Sequence, residues 1–168
     1  MRTLACALLA AMALAGCRTD YSWRPDVPQE MRTVAVPTFR NESDVTGFGA
    51  AAARQILREF QREGTFRIAT GDAAALEVQG IVKGVKDAVT GYDRRNGMRL
   101  LECECTAEVE VSVIDHRKGR VLIDNRVYRA VSRYAAGDDR ANAMRDASGR
   151  LADDLARQVV DDVRNLKW

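Results

Sequence analysis

With 168 residues, 46% of them apolar and 30% charged, the chain can build one domain with a real core, and its composition excludes a disordered polymer. A formal net charge of +2 excludes the broad positive field that would select nucleic acid, so any basic ligand site must be local. The single histidine, His116, leaves little room for general-base or metal chemistry.

The first segment is a leader. Arg2 makes its start positive, and residues 4–15 form an uncharged apolar run. That run is too short for a bilayer span, which needs about 20 residues, and it suits the apolar part of a secretory signal. It ends in Leu14-Ala15-Gly16-Cys17. This ending resembles the bacterial lipoprotein signal, in which the cysteine thiol receives diacylglycerol and becomes the mature N-terminus. Residues 1–16 are then the signal peptide and Cys17 the lipidation site; the alternative is an ordinary signal peptide with an incidental cysteine. Each buried methylene contributes about 0.8 kcal/mol, so one acyl chain binds marginally whereas more than one holds stably. In the enterobacterial lipoproteins that this signal resembles, aspartate after the cysteine marks inner-membrane retention; Arg18 stands there instead, so the resemblance implies the outer membrane as destination.

Residues 17–32 read as the lipidated N-terminus and a spacer, with Pro25 and Pro28 favouring extended backbone. Tyr21 and Trp23 have two places open to them, against the domain or at the membrane interface. Residues 33–168 form the domain. Residues 33–39 predict a strand with Pro37 near its end, since proline cannot donate to a ladder. Residues 40–44 predict a turn. Residues 47–63 predict a helix with Phe48, Ala52, Ile56 (or Leu57) and Phe60 on one stripe, ended by Gly64. A short strand at 65–70 completes a right-handed crossover, its two strands parallel or nearly adjacent.

Residues 76–90 predict a longer strand. Leu76, Val78 and Val82 share one parity and Val85 and Val89 the other, so a bulge or bend is expected near Gly80 and Gly84. A polar connection at 91–99 carries Arg94, Arg95 and Arg99. Residues 102–113 alternate almost without error. Cys103, Cys105, Ala107, Val109, Val111 and Val113 face one way, while Glu102, Glu104, Thr106, Glu108, Glu110 and Ser112 face the other. A hairpin loop at 115–120 carries His116, Arg117, Lys118 and Arg120, and 121–131 returns as a strand. From about 140 to 165 the pattern is an amphipathic helix. Met144, Ser148 (beside Ala147), Leu151, Leu155, Val159, Val163 and Leu166 lie on its apolar face, and Asp153, Asp154, Arg157, Asp161, Asp162 and Arg164 on a solvated flank. The order β-α-β-β-β-β-α predicts an α/β (α+β) two-layer sandwich. Its mixed, mainly antiparallel sheet would have four or five strands and carry two helices on one face.

Cys103 and Cys105 lie two residue rises apart on one face, which is poor geometry for a disulfide needing Cβ atoms about 3.8 Å apart. They read as small core residues, with no metal site proposed. His116 beside Asp115 is the only trace of a catalytic arrangement and reads as an exposed turn, and the aspartate pairs at 153–154 and 161–162 read as helix surface. No enzyme activity, cofactor or metal is expected.

Within this pattern, TVAVPTFRNES at 33–43 and EFQREGTFRI at 59–68 are the most distinctive pieces. Together with the Leu-Ala-Gly-Cys ending and the Tyr-Ser-Trp spacer, they make the chain resemble the lipopolysaccharide-assembly outer-membrane lipoproteins (LptE-like). The resemblance implies a protein anchored in the inner leaflet of the outer membrane, on its periplasmic side. It would plug and help assemble the LptD β-barrel and assist lipopolysaccharide transport without chemistry of its own. It also implies an α/β sandwich, which agrees with the pattern above. A second reading is an outer-membrane lipoprotein that activates a periplasmic peptidoglycan synthase or builds a secretion pore, since such proteins share the VAV-x-x-F-x-N opening. Their long spacers or membrane-inserting strands have no counterpart in this sequence.

An anionic glycolipid needs phosphate partners, which guanidinium groups supply in bidentate fashion. The glutamate face of strand 102–113 is unsuited at its centre, and its carboxylates are expected to meet cross-strand cations such as Arg126, or arginines of a barrel wall. Two loops are candidates instead: Arg94, Arg95 and Arg99, and Arg117, Lys118 and Arg120. They lie at opposite ends of one strand and so form two sites, unless both are simply solvated turns.

Overall fold

The computed structural model describes residues 27–93, 99–135 and 139–168. In chain order the elements are β1 (Thr33–Ala35), β2 (Arg40–Asn41), α1 (Phe48–Glu63), β3 (Arg67–Ile68), β4 (Leu76–Asp93), β5 (Arg99–Asp115), β6 (Arg120–Ala135) and α2 (Arg140–Arg164). The strands form one sheet in the order β3-β1-β4-β5-β6, with β2 also paired to β4. β1 is parallel to β3 and β4, β2 is parallel to β4, and β4-β5-β6 are antiparallel.

The two strands of the predicted crossover are parallel neighbours, β1 and β3, with α1 between them in the chain. The sheet has six strands rather than four or five, because Arg40 and Asn41 pair with Ile81 and Val82 instead of only turning. Pro37 separates this pair from β1, as a residue without an N–H would. Asn41 then builds the turn itself. Its side-chain oxygen accepts from the Ser43 amide at 3.1 Å and hydroxyl at 2.7 Å, and its amide donates to the Val45 carbonyl at 2.8 Å.

Both helices pack on one sheet face, as the single buried face of β5 requires. Cys103, Cys105, Ala107, Val109, Val111 and Val113 are all buried, and the two thiols are free members of this core. From α1 come Phe48, Ala52, Ile56 and Phe60, with Leu57 only partly covered. From α2 come Ala147, Leu151, Leu155, Val159 and Val163, while Met144, Ser148 and Leu166 are half-buried at its ends. Phe60 and Phe66 meet edge to face, with centroids 5.2 Å apart.

Two irregularities set which side chains reach which face. In β4 the register slips between Val82 and Gly84, so Val78 and Val82 lie inward before it and Val85 and Asp87 after it. The parity change in the sequence marks this place. In β6 the pairing jumps between Ile123 and Arg126, around Asn125 in the left-handed region at φ 44°. Ser112 holds that bulge, its hydroxyl 3.0 Å from the Asn125 amide. The bulge turns Tyr128, Ala130, Ser132 and Tyr134 inward, and it carries Arg126 to the helix side as well.

Candidate functional site

One line of paired residues runs across an end of the sheet, from Ile68 through Val34, Leu76 and Asp115 to Arg120. The β5–β6 turn stands just beyond it. Asp115 is fully buried and organises this turn. Its Oδ1 accepts from the Arg117 amide at 3.0 Å and the Lys118 amide at 3.1 Å, and its Oδ2 from Arg120 Nε at 3.1 Å. Burial pushes the Asp115 carboxyl up, but these donors outweigh it and hold the group below its ordinary value. Gly119, at φ 60°, closes the turn in a conformation that suits glycine.

Of the three cations read from this loop, Arg120 is thus committed to Asp115. Arg117 and Lys118 are exposed at the tip, and their backbone amides are tied to Asp115. His116 is an exposed turn residue whose Nε2 lies 2.6 Å from Glu77 Oε2. Asp115 spends both oxygens on the turn, so the two neighbours do not form a base and its orienting carboxylate.

Cys17, Tyr21, Trp23, Arg94 and Arg95 lie outside the described residues. Arg99 is the first residue of β5, opposite Asp93. From Arg99 to Asp115 the strand spans roughly 50 Å at about 3.3 Å per residue, so Arg99 and the tip bearing Arg117 and Lys118 stand at opposite ends of it.

Between them lies the outer sheet face. Its glutamates meet Arg133 and Arg129 rather than Arg126: Arg133 Nε is 2.9 Å from Glu104 and Arg129 Nε 3.7 Å from Glu108. Arg126 instead reaches across to Asp162 of α2, which also accepts from Tyr128 at 2.8 Å. Asp162, read from sequence as solvated, therefore ties α2 to β6. On β6 the outward residues alternate Val127, Arg129, Val131 and Arg133, and both valines are at least half exposed. A cavity of about 330 Å³ opens on the same face, lined by Pro37, Arg40, Glu77, Glu110 and Asn125 among others. Its facing carboxylates disfavour an anion.

Towards the other end, Asp87 joins three elements. Tyr134 donates to its two oxygens at 2.9 and 2.8 Å, and Arg140 Nη2, from the first residue of α2, lies 2.6 Å away. Burial, reinforced by Asp87 and opposed by Arg140, pushes the Tyr134 phenol up to about 12. Beside this clamp a groove of about 430 Å³ separates the starts of the two helices, lined by Val45, Phe48, Ala51, Met144 and Gly149 among others. The sequence pattern carried no signal for either cluster, because each joins residues more than thirty positions apart. The Cys105 thiol is likewise pushed up, first by burial and then by Asp87, which keeps it unreactive in the core. Among the described residues no group of three or more His, Cys, Asp or Glu is placed to hold a metal.

A family model described as LptE, lipopolysaccharide-assembly, matches residues 31–163. No curated protein matches the chain. Among solved structures, it is similar to a Xanthomonas campestris protein of the DUF330 family, at 13% identity and TM-score 0.63, covering 84% of this chain and 88% of that one. Lipoprotein B of Nitrosomonas europaea is 11% identical, with TM-score 0.55 and coverage of 80% and 83%. A minor lipoprotein of Acinetobacter baumannii is 13% identical, with TM-score 0.51 and coverage of 80% and 93%. At such identities these three show a shared fold.

Proposed function

The chain belongs to the LptE family of lipopolysaccharide-assembly proteins, and from that membership we propose that it is a non-catalytic outer-membrane lipoprotein that plugs and helps assemble an LptD-like β-barrel. The observation that carries the reading is the extent of the match. Residues 31–163 run from the turn before β1 to the last turn of α2, so the family pattern takes in the whole sheet and both helices.

Lipidation of Cys17 holds the domain at the periplasmic side of the outer membrane. The outer sheet face meets the barrel: its alternating Val127, Arg129, Val131 and Arg133 lie on an edge strand and offer apolar contacts between charged ones. Lipopolysaccharide is bound and passed on unchanged. Its phosphates are served by Arg94, Arg95 and Arg99, whose guanidinium groups suit bidentate contact.

The test is purification of the native protein from its membrane, with identification of what accompanies it. Co-purification of a large heat-modifiable barrel is the expected result. Recovery only of a peptidoglycan synthase, or of a ring of the protein itself, would sink the reading in favour of the activator or secretion-pore alternative. Charge reversal at Arg94, Arg95 and Arg99 should weaken lipopolysaccharide binding, and unchanged binding would make that loop a solvated connection.

A further inference from the structure

We propose that the sheet end bearing the β5–β6 turn rests on the phospholipid headgroups of the leaflet that holds the anchor, with Arg117 and Lys118 against lipid phosphate. The proposal rests on the reading of Cys17 as the lipidation site.

The first observation is where the chain enters the fold. Val27 is buried, and its carbonyl accepts from Arg32 Nε at 2.9 Å, one residue before β1. β1 starts on the same line across the sheet as Leu76, Asp115 and Arg120. The Ala75 amide reaches the Thr33 carbonyl at 3.1 Å, and the His116 amide reaches the Ala75 carbonyl at 2.9 Å. Entry point and hairpin tip thus belong to one end of the domain.

The second observation is covalent reach. Ten residue steps separate Cys17 from Val27. No conformation of that length extends beyond about 35 Å, at no more than about 3.6 Å per residue. The opposite end of β5 is roughly 50 Å further along the sheet, so the tether keeps the entry end beside the leaflet.

The third observation is charge. Three carboxylates at this end are engaged within the domain, Asp115 with Arg120, Glu77 with His116 and Asp162 with Arg126, while Glu30 and Asp124 stand exposed. Arg117 and Lys118 are exposed at the tip, while Arg32 and Arg67 line an open cleft next to the entry point. Each cation close to an anionic membrane surface contributes attraction on the order of a fivefold change in binding, screened over a Debye length. Trp168 packs near Phe66 at the same end, with ring centroids 6.4 Å apart.

The test uses the mature lipidated protein in vesicles of phosphatidylethanolamine and phosphatidylglycerol without lipopolysaccharide. A water-soluble acylating reagent reads the reactivity of Lys118 against that of Lys86, which is exposed far along β4. Relative to detergent micelles, Lys118 should react on the order of tenfold more slowly in the vesicles, with Lys86 unchanged. Arg117→Glu should return Lys118 several-fold towards its detergent rate. Equal protection of both lysines, no protection of Lys118, or protection only after lipopolysaccharide is added would each overturn the proposal. The mass of the Cys17 peptide in the same digest separates the two failures. A lipidated Cys17 with a freely reactive Lys118 defeats the orientation alone, whereas an unmodified Cys17 defeats the anchor and the orientation together.

Discussion

Asp115 shows how one buried carboxylate can set a loop. It satisfies two amides and a guanidinium from a position with no solvent exposure, so its loss leaves donors without their charged acceptor. Asp115→Asn should cost about 1–3 kcal/mol at neutral pH in urea denaturation. The folded-state value is depressed, so this stabilisation is present above the unfolded value of about 3.9 and is lost as pH falls through the lower folded value. The variant should accordingly lose less stability than the parent on acidification below about pH 4. Tyr134 behaves in the opposite sense. Its phenol is pushed up to about 12, so its contribution is complete below about pH 10 and is lost as pH rises from there through the folded value. Tyr134→Phe should cost about 1–2 kcal/mol at pH 8 and flatten the alkaline limb of a plot of denaturation midpoint against pH. An unchanged alkaline limb would show that the Tyr134–Asp87 bond does not act in solution.

At the scale of elements, α2 is held by its apolar stripe and by polar ties at both ends. Asp139 caps it, accepting from the Asn142 amide at 3.0 Å. Gln158 and Arg150 reach the Arg129 and Arg133 carbonyls of β6. The stripe supplies most of the energy. Leu151→Ala should cost about 2–5 kcal/mol, because the close-packed layer cannot fully collapse onto the missing methyls. Arg157→Ala, which removes only an exposed pair to Asp154, should stay within about 0.5 kcal/mol in the same measurement. The stripes of both helices were legible in the sequence because an amphipathic helix repeats its burial every turn. So was the buried face of β5, which alternates without interruption. The bulge at Asn125 was not, because a bulge changes parity without any change in composition. That is why Arg126 was expected on the glutamate face and lies beside Asp162 instead.

For the whole molecule, the division of labour is between two faces and two ends. The inner sheet face is closed by helices, and the outer face stays open with Val127 and Val131 among paired charges. Val127→Glu with Val131→Glu should change stability by no more than about 1 kcal/mol, since both side chains are already at least half exposed. The same variant should reduce capture of the barrel several-fold in co-purification; full capture would move the contact to another surface. The exposed pairs on this face are weak contributors to stability, so their arrangement matters more for a partner's charges than for the fold.

The sequence by itself determined the order of the long elements, the core side of β5 and the family pattern. All of these are local or periodic properties of the chain, written in spacing and residue type. Only the tertiary structure decided that β2 joins the sheet, that Asp87, Tyr134 and Arg140 form one cluster, and that Arg120 is bound to Asp115 while Arg117 and Lys118 are exposed at the tip. It also decided that the basic turn stands at the end where the chain enters the domain before β1. The reason is the same in each case: strand pairing brings together residues that are far apart along the chain, and no spacing in the sequence records which partners meet.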